Sequence, residues 1–215
     1  MLVVEEILKL NRKQTPENLC LGLYSLASMD FFHQEYFDQA FISLQEQEMA
    51  PHIDQIATIA QSVAILRRSE YTNQLIDWFA EALNGGKDLN LFSGGRLNQG
   101  DESWHVSNEL SFVSALQAIL FLIGDDDEQL QAFKECCGQG VQEICRHLAS
   151  DISESHVRLL PSLLWSLVCL DLLDGERNGL VAKSLQIIGN EMGEANHISF
   201  PGAVLLNQVI NHLEL

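Results

Sequence analysis

Basic residues are scarce in this sequence. Only 12 Lys and Arg stand against 30 Asp and Glu, a formal net charge of −18. Nucleic-acid binding rests on clustered cations that displace counterions from phosphates. At long range an acidic chain repels RNA, DNA and anionic membranes, so any nucleic-acid contact is expected to be local or made beside a basic partner. Proline is also rare, at four residues, and long helices therefore meet few breaks. The five cysteines, Cys20, Cys136, Cys137, Cys145 and Cys169, are odd in number and form no C-x-x-C pair. That pattern fits free thiols in a reducing compartment. There is no N-x-S/T sequon and no G-x-S-x-G nucleophile sequence. The most apolar stretch, Leu159 to Leu173, is too short to span a bilayer and carries Pro161 and Asp171. Met1 to Leu10 contains Glu5 and Glu6, and reads as neither a secretion signal nor a transit peptide.

What the chain does have is apolar residues, 47% of the total, arranged at helical spacing. Thr15-Pro16-Glu17 predicts a helix start, with Thr at the N-cap, Pro at N1 and an acid in the first turn. Leu19, Leu23 and Leu26 then mark one face. A partner helix is expected over roughly His33 to Glu48, with Tyr36, Phe37, Ala40, Phe41 and Leu44 inward. The pattern returns 37 residues later, where Ile56, Ala60, Val63, Ala64 and Leu66 take the places of Leu19, Leu23, Leu26, Ala27 and Met29. Ser62 falls on Ser25 by the same shift. A second partner helix follows at about Tyr71 to Leu83. Further along, Leu160, Leu164, Leu167, Val168 and Leu170 fall in the same frame 141 residues on, with Ser166 on Ser25, Trp165 on Tyr24 and Asp171 on Asp30. Helix pairs at a fixed period predict an all-α fold, an α-solenoid of about five helix-turn-helix repeats. Residues 1–215 are expected to form a single helical-repeat domain, with a long loop at 84–103 between the second and third pairs.

The remaining segments fit that frame. A third core helix is expected from about Ser107 to Ile123, ended by Gly124. Asp125-Asp126-Asp127 opens the next helix, which suits the positive end of a helix dipole better than a cation site. Gly138 and Gly140 are expected to divide that helix from Val141 to Leu148. The fourth core helix starts either at a capping box, Asp151-x-x-Glu154, or later, near Ser155, where Pro161 disturbs it less. A partner at Asn178 to Met192 and a last apolar segment at Gly202 to Leu213 complete the chain.

Candidate chemistry is thin. Ser93-Gly94-Gly95-Arg96 and Gly100 suggest a phosphate loop, but Asp101 and Glu102 stand where such a loop needs Lys and Ser/Thr. Cys136, Cys137, Cys145 and His147 lack paired zinc-ligand spacing, and adjacent helical cysteines point about 100° apart. Trp165 and Tyr24 read as core residues. Arg67-Arg68 closes the second core helix, where cations complement the dipole. A nucleic-acid contact, if one is made, is expected there. No cofactor, metal site or catalytic residue is expected.

The first helix of the repeat reads L-x-x-x-L-[YW]-S-L-x-x-[ML]-D, at Leu19 to Asp30 and again at Leu160 to Asp171. This resembles the helical repeats of FAST-kinase-like and RAP-domain proteins and the related heptatricopeptide and octotricopeptide repeats. The chain has none of the kinase sequences V-A-I-K, H-R-D or D-F-G. The resemblance implies an organellar, most simply mitochondrial, protein of RNA processing, stability, translation or ribosome assembly. Combined with the acidic charge, it implies a non-catalytic scaffold whose partners are basic subunits of a ribonucleoprotein complex, with RNA contacted indirectly and no membrane insertion. The alternative it implies is a direct single-stranded RNA binder.

Overall fold

A computed structural model of the chain describes residues 15–46, 51–84, 102–151, 157–172, 178–192 and 200–212. Among these residues every element is helical. They are α1 (Pro16–Ser28), α2 (Gln34–Gln45), α3 (Ile53–Ile65), a 3-10 turn (Ser69–Tyr71), α4 (Thr72–Asn84), α5 (Glu102–Ile123), α6 (Asp127–Asp151), α7 (Leu160–Cys169), α8 (Asn178–Met192) and α9 (Phe200–His212). None of these helices is long and apolar enough to cross a membrane.

The helices begin and end for local reasons. At α1 the Thr15 hydroxyl accepts from the Asn18 N–H at 3.5 Å, with Pro16 in the first turn. Three helices end in one motif. Asp30 takes a left-handed φ of 52°, Arg67 one of 54° and Asp171 one of 55°. In each, the left-handed residue donates back to a carbonyl three residues earlier, as Asp30 to Ala27 at 2.9 Å, Arg67 to Ala64 at 3.1 Å and Asp171 to Val168 at 3.0 Å. The next residue closes the six-residue loop, Phe31 to Leu26, Arg68 to Val63 and Leu172 to Leu167. This is the Schellman arrangement, which satisfies carbonyls that the helix leaves bare. The cap positions are 37 and 141 residues apart from the first, the offsets of the apolar pattern. The repeated serine behaves alike too: Ser25, Ser62 and Ser166 each donate to the carbonyl four residues back, at 2.7, 2.7 and 2.8 Å.

Contacts fall into two rows. In one, α3 packs against α1 and α5, α5 against α7, and α7 against α9. In the other, α4 packs on α6 and α6 on α8, while α2 meets α4 through rings: Phe41 stacks on Trp78 at 5.2 Å between centroids. One continuous apolar core runs between the rows, from Leu19 to Val209. α7 is enclosed as its composition predicts; from Leu159 to Leu170 no residue is exposed.

Several boundaries differ from expectation. Asn84 closes α4 and Glu102 opens α5, so 84–103 is not loop throughout; residues 85–101, with the Ser93–Gly100 glycines, lie outside the described residues. α5 begins five residues before Ser107. α2 ends at Gln45 rather than Glu48. α7 starts at Leu160, beyond both expected starts at Asp151 and near Ser155, and Pro161 stands in its first turn, where a missing N–H costs nothing. Asp151 ends α6, and Glu154 lies outside the described residues. The main correction is at Gly138 and Gly140, which do not divide a helix: α6 runs through both. Packing against α4 and α8 outweighs the helix propensity lost at two glycines, about 1 kcal/mol each.

The two glycines have opposite surroundings. A Cβ on Gly138 meets nothing within 4 Å, whereas one on Gly140 lies 3.0 Å from Leu83 Cβ on α4. Gly138→Ala is therefore expected to raise stability by about 1 kcal/mol. Gly140→Ala gains the same propensity but forces α4 and α6 apart, an overpacking cost of about 1–3 kcal/mol. Urea titrations of the two variants check this, and equal midpoints would contradict the close α4–α6 approach.

Candidate functional site

The residues expected to carry any nucleic-acid contact sit on the turn after α3. Arg67 is placed by the left-handed cap and its side chain is exposed. Arg68 is half-buried and committed to neighbours. Its guanidinium carbon lies 3.7 Å from the centroid of the Phe32 ring, on the α1–α2 turn. Its Nη1 is 3.9 Å from Glu70 Oε1, and its Nε is buried without a hydrogen-bond partner. Arg68 thus ties one turn to the previous one by a cation–π contact, a partner to Arg67 in sequence but not in role. At the equivalent cap position the three turns present Asp30, Arg67 and Asp171, two acids to one base. A single exposed cation among the three caps offers a point contact to one anion rather than a track for a phosphate backbone.

A few residues after this turn begins a polar cluster that the periodicity did not point to. The Tyr71 hydroxyl donates to Asp38 Oδ1 at 2.7 Å, and the Gln34 amide donates to Tyr71 Oη and to Asp38 Oδ1, both at 2.9 Å. It joins α2 to the 3-10 turn that leads into α4, the second helix of the next pair. Burial, then the bond to Asp38, holds the Tyr71 phenol well above its ordinary value. The only available signal was the repeat itself, since Gln34 and Tyr71 stand 37 residues apart. Tyr71→Phe leaves Asp38 and Gln34 without their shared hydroxyl and is expected to cost about 1–2 kcal/mol. A raised folded-state pKa gives stability that is complete below the unfolded value of 10.0 and is lost as pH rises through the folded one. The gap between wild type and Tyr71→Phe should therefore narrow above about pH 10; urea titrations at about pH 8 and pH 11 check it, and a constant gap argues against the bond.

The thiols are arranged for packing. Cys20, Cys137 and Cys145 are buried, Cys169 is half-buried and Cys136 is exposed. Burial, reinforced by Asp54 and Glu17, pushes Cys20 up to about 12. Burial and the hydrogen bond with Cys136 raise Cys137, and burial raises Cys169. These three thiols are held neutral and are poor nucleophiles. The expectation that Cys136 and Cys137 diverge fails in one respect: their sulfurs lie 3.4 Å apart. The 100° step separates the Cα–Cβ bonds, but the side-chain torsions swing the sulfurs together. Cys145 lies two turns further on, and the side chain of His147 is outside the described residues. Among the described residues no three His, Cys, Asp or Glu gather as metal ligands. Asp126 caps α6, its Oδ1 accepting from the Gln129 N–H at 2.9 Å, with Asp127 and Glu128 in the first turn.

The aromatic pair of the repeat divides. Trp165 is half-buried against the core, whereas Tyr24 is 42% exposed, contrary to its reading as a core residue. Tyr24 sits on the first described helix of the row.

Comparison of the chain with protein-family models, with curated proteins and with solved structures finds no match.

Proposed function

We propose that this chain is a non-catalytic α-solenoid of about five helix pairs, working as a scaffold or adaptor within an organellar RNA-handling assembly such as a mitochondrial ribosome. Its repeat signature, seen in LLWSLVCLD at Leu163 to Asp171, resembles that of FAST-kinase-like and RAP-domain proteins. The observation that carries the solenoid is the recurrence of one cap and one serine bond at offsets of 37 and 141 residues. Stacked units of this kind expose long surfaces suited to protein contacts. The charge of −18 favours basic proteins as partners over RNA itself.

A tagged chain expressed in its organelle tests this. It should copurify with ribonucleoprotein subunits under native conditions, while the isolated chain shows no RNA affinity. Recovery of the chain alone, or turnover of a nucleotide or peptide, would sink the adaptor reading. A direct single-stranded RNA binder is the second reading, favoured by the exposed Arg67 on a rim. It requires RNA affinity that falls steeply with salt and drops further in Arg67→Ala/Arg68→Ala.

A further inference from the structure

Cys136 and Cys137 are consecutive residues in α6, and their sulfurs lie 3.4 Å apart. Their surroundings differ. Cys136 is exposed and Cys137 is buried. Cys136 Sγ also donates to the Phe133 carbonyl at 3.5 Å, so it points back over the preceding turn. That turn carries Ala132, an exposed residue with only a methyl group, four positions before Cys136. One sulfur is thus open to a reagent, and the second lies within reach of whatever the first holds.

The separation selects what can join them. A direct disulfide prefers Cα atoms about 4.4–6.8 Å apart, whereas a trans peptide holds neighbours at about 3.8 Å. A single bridging atom is less demanding. For an atom about 2.3 Å from each sulfur, the usual zinc–thiolate distance, a separation of 3.4 Å sets an S–X–S angle of about 95°. At the same bond length a tetrahedral ion needs sulfurs about 3.8 Å apart, and a linear one about 4.6 Å. The observed spacing therefore suits a pyramidal, three-coordinate centre. Its third bond has to come from the ligand itself, because among the described residues no group of three His, Cys, Asp or Glu could hold an ion. Trivalent arsenic that carries an organic group has this geometry, and soft centres of this kind favour thiolates.

We infer that Cys136 and Cys137 form a vicinal-dithiol site for a trivalent, thiophilic metalloid, with organic arsenic(III) compounds as the ligand class. An arsenoxide, R–As=O, condenses first with the exposed Cys136 and then with Cys137, which the first bond has brought alongside. Two As–S bonds form. The As–O bond and both S–H bonds break, and the two protons leave with the oxygen as water. Arsenic stays trivalent throughout, so no oxidant or reductant takes part. Closing the second bond makes the adduct durable, since a competing monothiol must then displace a chelate.

Phenylarsine oxide added to the full chain tests this, read by intact mass spectrometry after an excess of glutathione. The wild type should keep one phenylarsenic group, gained with loss of one water, and should surrender it to dimercaptopropanol. Cys136→Ser should keep about a hundredfold less. That side chain is exposed, so the fold should be retained. Cys137→Ala should behave alike, with folding followed by far-UV circular dichroism. Cys169→Ser, at a half-buried thiol outside the pair, should leave retention unchanged. Adjacent cysteines of an unfolded chain also chelate arsenic, so urea midpoints with and without the reagent are the second measure. A site formed in the fold leaves the midpoint unchanged or raises it. A lower midpoint would mean that the buried sulfur is reached only by unfolding, which overturns the inference. So does loss of arsenic from the wild type to glutathione, equal retention in Cys136→Ser, or loss of two hydrogens in place of the arsenic adduct.

Discussion

Replacing Phe79 with Ala is expected to lower the unfolding free energy by about 3–5 kcal/mol. Phe79 lies on α4 with no exposed surface. Its ring centroid is 5.8 Å from that of Phe112 on α5 and 6.0 Å from that of Phe133 on α6, both stacked. The three rings close the junction where the two rows of helices meet. Truncation loses the transfer energy of the ring and leaves a cavity that three separate helices cannot collapse into together. It also removes two aromatic contacts, each worth about 0.5–1.5 kcal/mol beyond the area buried. Urea titration followed by far-UV circular dichroism reads the effect as a lower midpoint with unchanged slope. Phe79→Leu, which keeps most of the volume, should recover more than half of the loss. A loss under about 1.5 kcal/mol for the Ala variant would mean that the junction is not packed as described.

The second large effect compares equivalent positions. Leu167 on α7 has no exposed surface, and its counterpart Leu26 on α1 is only half-buried. Leu167→Ala should cost about 2–5 kcal/mol, and Leu26→Ala about half of that or less. The residue, the substitution and the helix register are the same, so the difference isolates one variable: α7 packs against both α5 and α9, while among the described helices of its row α1 packs against α3. Equal losses would show that Leu26 is packed in solution as tightly as Leu167.

The pattern of the repeat was readable from residues because it is local. A helix presents i, i+3, i+4 and i+7 on one side whatever lies beyond it. Leu19, Leu160 and their companions therefore declare their frame directly, and the serine at Ser25, Ser62 and Ser166 bonds within its own helix. The left-handed caps were half legible. Asp30 and Asp171 shared a place in the motif, but Arg67 breaks the residue type, and only the backbone shows it in the same conformation.

Site features were less legible because they depend on which turns lie side by side. Nothing local distinguishes Arg68 from Arg67, yet one stacks on Phe32, 36 residues earlier in the numbering, and the other is exposed. The bond from Tyr71 to Asp38 likewise requires that α2 and the next pair be neighbours. Gly138 and Gly140 mislead for the opposite reason: local propensity argues for a break, and packing on α4 overrides it.

By itself the sequence determined an all-helical chain, the frame of its core helices, the 37- and 141-residue offsets and an acidic surface. Each is a property of short stretches or of composition, set by helix geometry and charge. The tertiary structure alone decided that α6 is unbroken, that Arg68 is spent on Phe32 and Glu70, and that Tyr24 and Met29 are exposed where Trp165 is half-buried and Leu170 buried. A repeat encodes the same face in every copy, but burial of that face depends on having a neighbour, and α1 stands at one end of its described row.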